Sequence, residues 1–426
     1  MDGLSSYLKS EIENLKSKLN LTNRVRVCPL MLTTPALTLM GSGEMTPGMA
    51  RVHRALLARG PQPARPAFVN TPAGFELNHA AISAKAVDYF KEQFDLPLEV
   101  ASFPNAGRST QEQSAAAMRA LRRATYIFSG PGSPTYAVRH WRDTPVFETI
   151  AAMLHAGAAV TFASAAALAV GRFTLPVYEI YKVGEEPHWI EGLDLLGRFG
   201  FDLAVVPHWN NNSGGNHDTS RAYIGAERFD ALHAQLPAST VVLGIDEYTA
   251  CTIEFTDERC TVSGAGSVTI LHSDGAAFTF ASGESFSTQL LTHPSAPRAH
   301  ESAAHDEVID LFRTALAASD AAAALSYLHN LMDHLARFPH DAAAQKHTLL
   351  LIREMTAELA VWLEAQHLQP AAPPADDGPW IDLIVSLRSQ ARAAKAWALS
   401  DAVRNALAER GITVEDGAAG STWRRS

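Results

Sequence analysis

Ser164, Glu179 and His208 have the residue types that acyl-transfer chemistry needs. A serine hydroxyl is a weak nucleophile near neutral pH. It needs a base within hydrogen-bond reach, a third group to orient that base, and N–H donors for the developing oxyanion. Ser164 stands in "AAVTFASAAALAVG" (158–171), where an apolar run gives way to small helix-forming residues. That pattern predicts a strand turning into a helix, whose first N–H groups face any anion formed at the turn. His208 closes the apolar run of "FDLAVVPHWNNN", which puts it at the end of a strand. It is one of 17 histidines, and His188 and His217 are close rivals. Glu179, in "LPVYEIYKVG", is the nearest carboxylate after the serine helix and the expected orienting acid. "SGPGSPTY" (129–136) is a glycine turn after a strand, able to supply a second oxyanion donor. The plain alternative for Ser164 is a helix cap or a packing residue in an alanine-rich core.

Such residues must be brought together by the elements around them. From about residue 36 to 292, short apolar runs alternate with helical patterns. "ALTLMGSG", "ARPAFVNTPAG", "LEVASF", "TYIFSGPG" and "AVTFAS" read as strands. "NHAAISAKAVDYFKEQF", "QEQSAAAMRALRRA" and "TPVFETIAAMLHAG" read as helices, the last with Gly157 just past its end. This alternation predicts an α/β fold, a doubly wound, mostly parallel sheet with flanking helices. Ligands of such sheets bind beyond the carboxyl ends of the strands. The chemistry is therefore expected at Gly41–Glu44, Gly130–Gly132, Ser164, His208 and Asp246–Glu247. "PHWNNNSGGNHDTSR" is a surface loop beside the histidine. Its Arg221 is the natural holder of a substrate carboxylate, or else a salt-bridge partner. Asp246 and Glu247 either line the site or cap neighbouring backbone.

The same stretch resembles the cyanophycinase and dipeptidase E family of serine peptidases, which have a class I glutamine-amidotransferase-like fold. The likeness rests on "GSGE" (41–44), "SGPGSPTYAVR" (129–139), the serine turn at 164, "EGLDLLG" (191–197), "VVPHW" (205–209), "HDTSRAYIG" (217–225) and "GIDEYTA" (244–250). It implies a serine-type peptidase or amidase, with Ser164 as nucleophile, His208 as base and Glu179 as acid. Ala165 and Gly132 become oxyanion donors, with Gly130 the rival of Gly132. Glu44, Arg221, Asp246 and Glu247 become substrate-site residues. A small peptide, isopeptide or acylated amine is the implied substrate, and no metal or cofactor is implied. Where the family has glycines around the nucleophile, this chain has Phe162 and Ala166. Phe162 is expected to fill space beside the serine.

The last third reads differently. A polar linker (293–306) leads to a helical domain (307–368), a Pro-rich hinge (369–379) and a further helical hairpin (380–426), an all-α region by pattern. Residues 383–425 resemble the extreme C-terminus of cysteinyl-tRNA synthetase, through Gly411-Ile412, Glu415-Asp416 and Gly420-Ser421-Thr422-Trp423-Arg424. The synthetase's nucleotide-binding motifs and zinc cysteines are absent, so tRNA charging is excluded. Arg388, Arg392, Lys395, Arg404, Arg410, Arg424 and Arg425 make a basic segment, with Trp397 and Trp423 able to stack on bases. A retired enzyme whose tail contacts tRNA, or a tRNA-dependent complex, is the competing expectation.

The bulk numbers narrow the classes. A net charge of −10 argues against a chain-wide nucleic-acid footprint. Three scattered cysteines give neither a disulfide framework nor metal-ligand spacing, which fits a reducing cytoplasm. No apolar run is long enough for a membrane span, so no membrane partner is expected. Residues 1–35 read as an N-terminal extension bearing a short amphipathic helix. A homo-oligomer is expected.

Overall fold

A computed structural model describes residues 34–292, 303–337, 342–367, 378–393, 397–417 and 420–425. The N-terminal extension up to residue 33, most of the linker and most of the Pro-rich hinge lie outside the described residues. The chain divides into two compact units, one within 31–300 and one that includes 301–426.

Among its described residues the first unit carries fourteen strands: β1 (Ala36–Met40), β2 (Pro66–Val69), β3 (Glu99–Ala101), β4 (Tyr126–Ser129), β5 (Ala159–Ala163), β6 (Phe173–Thr174), β7 (Ile190–Glu191), β8 (Leu203–Val206), β9 (Val241–Ile245), β10 (Thr249–Glu254), β11 (Arg259–Gly264), β12 (Ser267–Leu271), β13 (Ala277–Ala281) and β14 (Ser285–Ser287). They form two sheets rather than one. The larger runs β14-β11-β10-β1-β5-β4-β2-β3, and the smaller runs β13-β12-β9-β8-β6-β7. Neighbours from β1 through β5, β4 and β2 to β3 are parallel. β10, β11 and β14 close that sheet antiparallel. In the smaller sheet β6, β8 and β9 are mutually parallel. Every residue of β1, β2, β4, β5, β8 and β9 is buried, which is why these strands read as unbroken apolar runs rather than alternating ones.

The helices between them are α1 (Ala50–Leu57), α2 (His79–Phe94), α3 (Gln111–Arg123), α4 (Pro134–Trp141), α5 (Pro145–His155), α6 (Ala165–Ala169) and α7 (Ala226–His233). Their starts obey local chemistry. Thr110 and Gln113 form a reciprocal capping box on α3. Ser133 and Thr144 cap α4 and α5, each with proline in the first turn. One core joins α1 and α2 to the larger sheet through Val52, Leu56, Phe68, Phe90 and Phe128. A second core packs Leu168 of α6 and Phe229 of α7 against Val206 and Val242 of the smaller sheet and against Trp209, just beyond β8.

The second unit holds α8 (Ala303–Ala317), α9 (Ala321–Arg337), α10 (Ala342–His367), α11 (Gly378–Ala393) and α12 (Trp397–Ala408). Leu387 and Ala391 of α11 share the core of α8, α9 and α10, around Phe312, Leu331 and Met355. Ile381 and Val385 of the same helix pack with Leu407 and Ile412. The helices before and after the hinge thus form one compact body. The all-helical expectation ends at residue 411. Beyond it, β15 (Ile412–Gly417) and β16 (Gly420–Arg425) form an antiparallel hairpin. Its Ile, Thr, Val, Trp and Thr side chains suit a strand pair better than a helix. Arg388 anchors the hairpin. It is fully buried and reaches both oxygens of Asp416, at 2.6 and 2.8 Å. That contact holds the Asp416 carboxyl well below the usual carboxylate range.

Two outcomes follow. Asp416→Ala leaves a buried guanidinium without its carboxylate, a loss of about 3 kcal/mol. Hydrogen exchange of the hairpin amides is expected to quicken about a hundredfold, and unchanged protection would contradict the anchor. In the first unit His53 is fully buried; Nε2 donates to the Glu44 carbonyl and Nδ1 accepts from the Tyr126 hydroxyl, both at 2.7 Å. Burial drops its pKa from 6.5 to about 4, against the raising effect of the Glu44 carbonyl. The unfolded chain therefore takes up a proton there between these values while the folded chain does not. Stability falls by roughly 3 kcal/mol as the pH drops through that window. Urea unfolding from pH 7 to 4 reads this slope, and His53→Gln is expected to lack it.

Candidate active site

Ser164 sits where β5 breaks into α6. Its backbone has φ +51° and ψ −117°, a conformation that non-glycine residues seldom adopt. Two hydrogen bonds hold it there: its N–H donates to Met40 of β1 at 3.0 Å, and its carbonyl accepts from Leu168 at 3.1 Å. Small residues let the turn close without glycine. Ala163, Ala165, Ala166 and Ala167 are all buried, and the Ala166 N–H reaches the Gly130 carbonyl at 3.4 Å. Phe162 does not fill the site. It is fully buried, edge-on to Trp141 at 5.9 Å.

His208 follows β8, also at positive φ (+50°). Its Nε2 lies 2.9 Å from Ser164 Oγ. Its Nδ1 lies 2.8 Å from Glu247 Oε1. An ionised carboxylate only accepts, so Nδ1 carries the proton and Nε2 presents its lone pair to the serine. The carboxylate that meets His208 is therefore Glu247, not the expected Glu179. Nearness along the chain pointed to Glu179, but β8 and β9 are adjacent parallel strands, and their ends deliver His208 and Glu247 side by side. Asn211 donates a second bond to Glu247 Oε1 at 2.8 Å, and the Glu247 N–H donates to Asn210 at 2.8 Å. The hydrogen bond from His208 is the main cause of the lowered Glu247 pKa, with the Asn211 bond adding to it against burial. These asparagines carry no role in the sequence reading; their signal is their place in "HWNNN", directly after His208.

The other expected residues divide. Glu44 is 6% exposed and lies against Gly130, 3.3 Å from where a Cβ on that glycine would stand. Burial pushes its carboxyl pKa up, while its own backbone N–H and the charges of His208 and Lys85 oppose the rise. One carboxyl near the histidine is pushed up and the other down, the separation that acid–base sites use. Gly132 has φ +147°, and a Cβ there would meet the Pro72 carbonyl at 2.0 Å. Asp246 accepts from the N–H and hydroxyl of Ser267, at 2.8 and 3.0 Å, tying β9 to β12. Arg221 stacks on Trp209, 4.1 Å from the ring centroid. Glu179 lies on a separate cleft, on a five-residue segment of π-helical turn.

No protein-family model matches the sequence. Curated relatives are cysteine–tRNA ligases. The enzyme of Tolumonas auensis is 41% identical over 106 residues, which is 24% of this chain and 23% of the ligase. That of Micrococcus luteus is 37% identical over 150 residues, 33% of this chain and 30% of the ligase. The chain thus spans under a third of the length of the ligases it matches. Among solved structures, a peptidase from an acI-B1 Actinobacterium is similar with a TM-score of 0.48 and 22% identity. It covers 60% of this chain and 98% of its own.

The ends of β1 and β9 meet closely beside the site. A Cβ on Gly41 would stand 2.0 Å from the Asp246 carbonyl oxygen. Gly41→Ala must therefore push apart the end of β1, whose Met40 carbonyl receives the Ser164 N–H, and the segment that leads to Glu247. A loss of about 3 kcal/mol is expected from the overpacked backbone, read as a lowered urea midpoint. A midpoint unchanged from wild type would contradict this contact.

Proposed function

We infer that the first unit is a serine-type hydrolase that cleaves an amide through an acyl-enzyme on Ser164. The observation that carries this reading is the unbroken chain from Ser164 Oγ to His208 to Glu247, at 2.9 and 2.8 Å, on a strained strand–helix turn. Strained backbone persists where surrounding structure over-determines it, and it clusters at reactive positions. His208 Nε2 takes the hydroxyl proton as Ser164 Oγ attacks the carbonyl carbon. The same proton then goes to the leaving amine as the C–N bond breaks. Water, deprotonated by His208, releases the acid from the serine ester. Glu247 holds the Nδ1–H tautomer and offsets the charge of the imidazolium that forms twice in the cycle. The Ala165 N–H, with that of Gly132 or Gly130, faces the oxyanion. Substrates are small peptides, isopeptides or acylated amines.

A fluorophosphonate probe reads this directly. Label is expected on Ser164, absent from Ser164→Ala and strongly reduced in His208→Ala. Glu247→Gln is expected to slow labelling by a factor of about a thousand or more, because the imidazole loses its fixed tautomer. Glu179→Gln is expected to label within a few-fold of wild type. No label on the folded wild-type chain, or a Glu179 effect as large as that of Glu247, would overturn the assignment.

A further inference from the structure

Glu44 is a carboxyl beside the site that the steps above leave unused. It stands on the turn just beyond β1, whose Met40 carbonyl receives the Ser164 N–H. That turn is firmly held. His53 donates to the Glu44 carbonyl at 2.7 Å. Thr46 donates its N–H and its hydroxyl to the Gly43 carbonyl, at 2.9 and 2.6 Å, and Tyr89 gives its hydroxyl to the Thr46 carbonyl at 3.0 Å. Gly43 has φ +70°, and the Tyr248 ring lies 2.3 Å from where a Cβ on it would stand. The Glu44 carboxyl is thereby laid on Gly130, with Oε1 3.3 Å from the place of a Cβ there. The Gly130 carbonyl in turn accepts from Ala166, two residues past the serine. The carboxyl thus rests on the very turn that faces the oxyanion.

Two features say what a carboxyl can do in that place. The first is that it has no counter-ion. Among the described residues it forms no ion pair, and the donor beside it is its own backbone N–H. His208 and exposed Lys85 act on it through their charge, Tyr89 is a phenol whose pKa is raised to about 12, and buried His53 meets only its carbonyl. Burial outweighs these charges and raises the carboxyl pKa, because a buried carboxylate without a partner is costly. The second feature is a shortage of donors in the glycine turn. Pro131 has no N–H, and the Ser133 N–H is already given to the Pro72 carbonyl at 2.9 Å.

We propose that Glu44 is a further catalytic residue, working with its proton on and donating its O–H to the oxyanion beside the N–H groups of Ala165 and the glycine turn. The proposal rests on the hydrolase reading above and adds a donor to the same site. No bond to this proton breaks: the Ser164 proton still travels through His208, and Glu44 keeps its own through both tetrahedral intermediates. An ionised Glu44 would repel the oxyanion, whereas the neutral acid is a strong donor, a use that apolar sites make of carboxylic acids.

The test asks whether the proton matters. The second-order rate of fluorophosphonate labelling at Ser164 is measured across pH on the full chain, on Glu44→Gln and on Glu44→Ala, with urea midpoints to show that each is folded. Glu44→Gln keeps a neutral donor and is expected to label within about fivefold of wild type at neutral pH, while Glu44→Ala loses the donor and slows about a hundredfold. The wild-type rate is expected to fall on the alkaline side as Glu44 gives up its proton, and Glu44→Gln to lack that fall. A Glu44→Gln rate cut about a hundredfold would mean that the carboxylate acts, and overturns the proposal. A Glu44→Ala rate equal to wild type overturns it too, as does one pH profile shared by wild type and Glu44→Gln. Should Glu44→Ala not fold, the near-isosteric Glu44→Gln and the two pH profiles still decide. Absence of label on the wild-type chain strikes the hydrolase reading instead, so the two failures are distinguishable.

Discussion

The positive φ at Ser164 is the constraint on which the site depends. A serine at φ +51° and ψ −117° costs on the order of 1–3 kcal/mol. That cost must be offset by structure that cannot relax. The offset comes from pairing on both sides: β5 lies parallel between β1 and β4, and the Ser164 N–H is itself donated to Met40. The alanines that follow serve the same end. They allow the Ala166 N–H to approach Gly130, so the glycine turn and the serine turn are fixed against each other. Phe162, which on side-chain size looks ill-suited to such a turn, instead buries its ring against Trp141 and helps to immobilise the strand that presents the serine.

His208 and its carboxylate partner are held by a different device. His208 and Glu247 extend from neighbouring strands of the smaller sheet, and each loop grips the other. Asn211 reaches Glu247 from the histidine loop, the Glu247 N–H returns to Asn210, and the Trp209 N–H closes on the Ile245 carbonyl at 3.0 Å. The imidazole is thus oriented by backbone as well as by its carboxylate. Glu44 completes the electrostatic setting. Its carbonyl is fixed by buried His53, so the turn that carries its carboxyl is tied to the aromatic core around Tyr126 and Phe128. Mutual orientation of this kind is what a hydroxyl nucleophile requires, because a small misplacement removes most of the benefit of proximity.

Much of this was legible in the residues. The strands at Ala36–Met40, Ala159–Ala163, Leu203–Val206 and Val241–Ile245 are buried apolar runs, and their ends marked the region of Ser164, His208 and Glu247. What the sequence hid was pairing. Chain proximity favours Glu179 as the acid, whereas strand adjacency delivers Glu247, and adjacency is a property of the sheet order. The same limit explains the division into two sheets, which local periodicity does not encode. It also explains the hairpin at 412–425, where the pattern of a preceding helix ran on past Gly411 (φ +70°), a left-handed residue that ends it.

The C-terminal unit shows how a charge pattern changes meaning once folded. Its arginines read as a basic surface because the carboxylates that meet them are distant or interspersed in the sequence. In the structure Arg388 is buried on Asp416, Arg392 meets the same carboxylate at 3.2 Å, Arg410 meets Glu364 at 3.6 Å and Arg424 meets Glu415 at 3.0 Å. Trp423 gives its indole N–H to Asp382 at 2.5 Å and packs beside Val414 in the small core, which spends it on folding. Trp397 is the contrasting case, 55% exposed with Arg392 over its ring at 5.6 Å. Exposed ion pairs are worth little and exchange readily, so the surface pairs hold the tail only weakly. Arg388 differs: withdrawing it would leave Asp416 and the hairpin without their buried anchor. The cation that most defines this tail is therefore the one least free to meet a polyanion, and its work is to hold the hairpin on the helix.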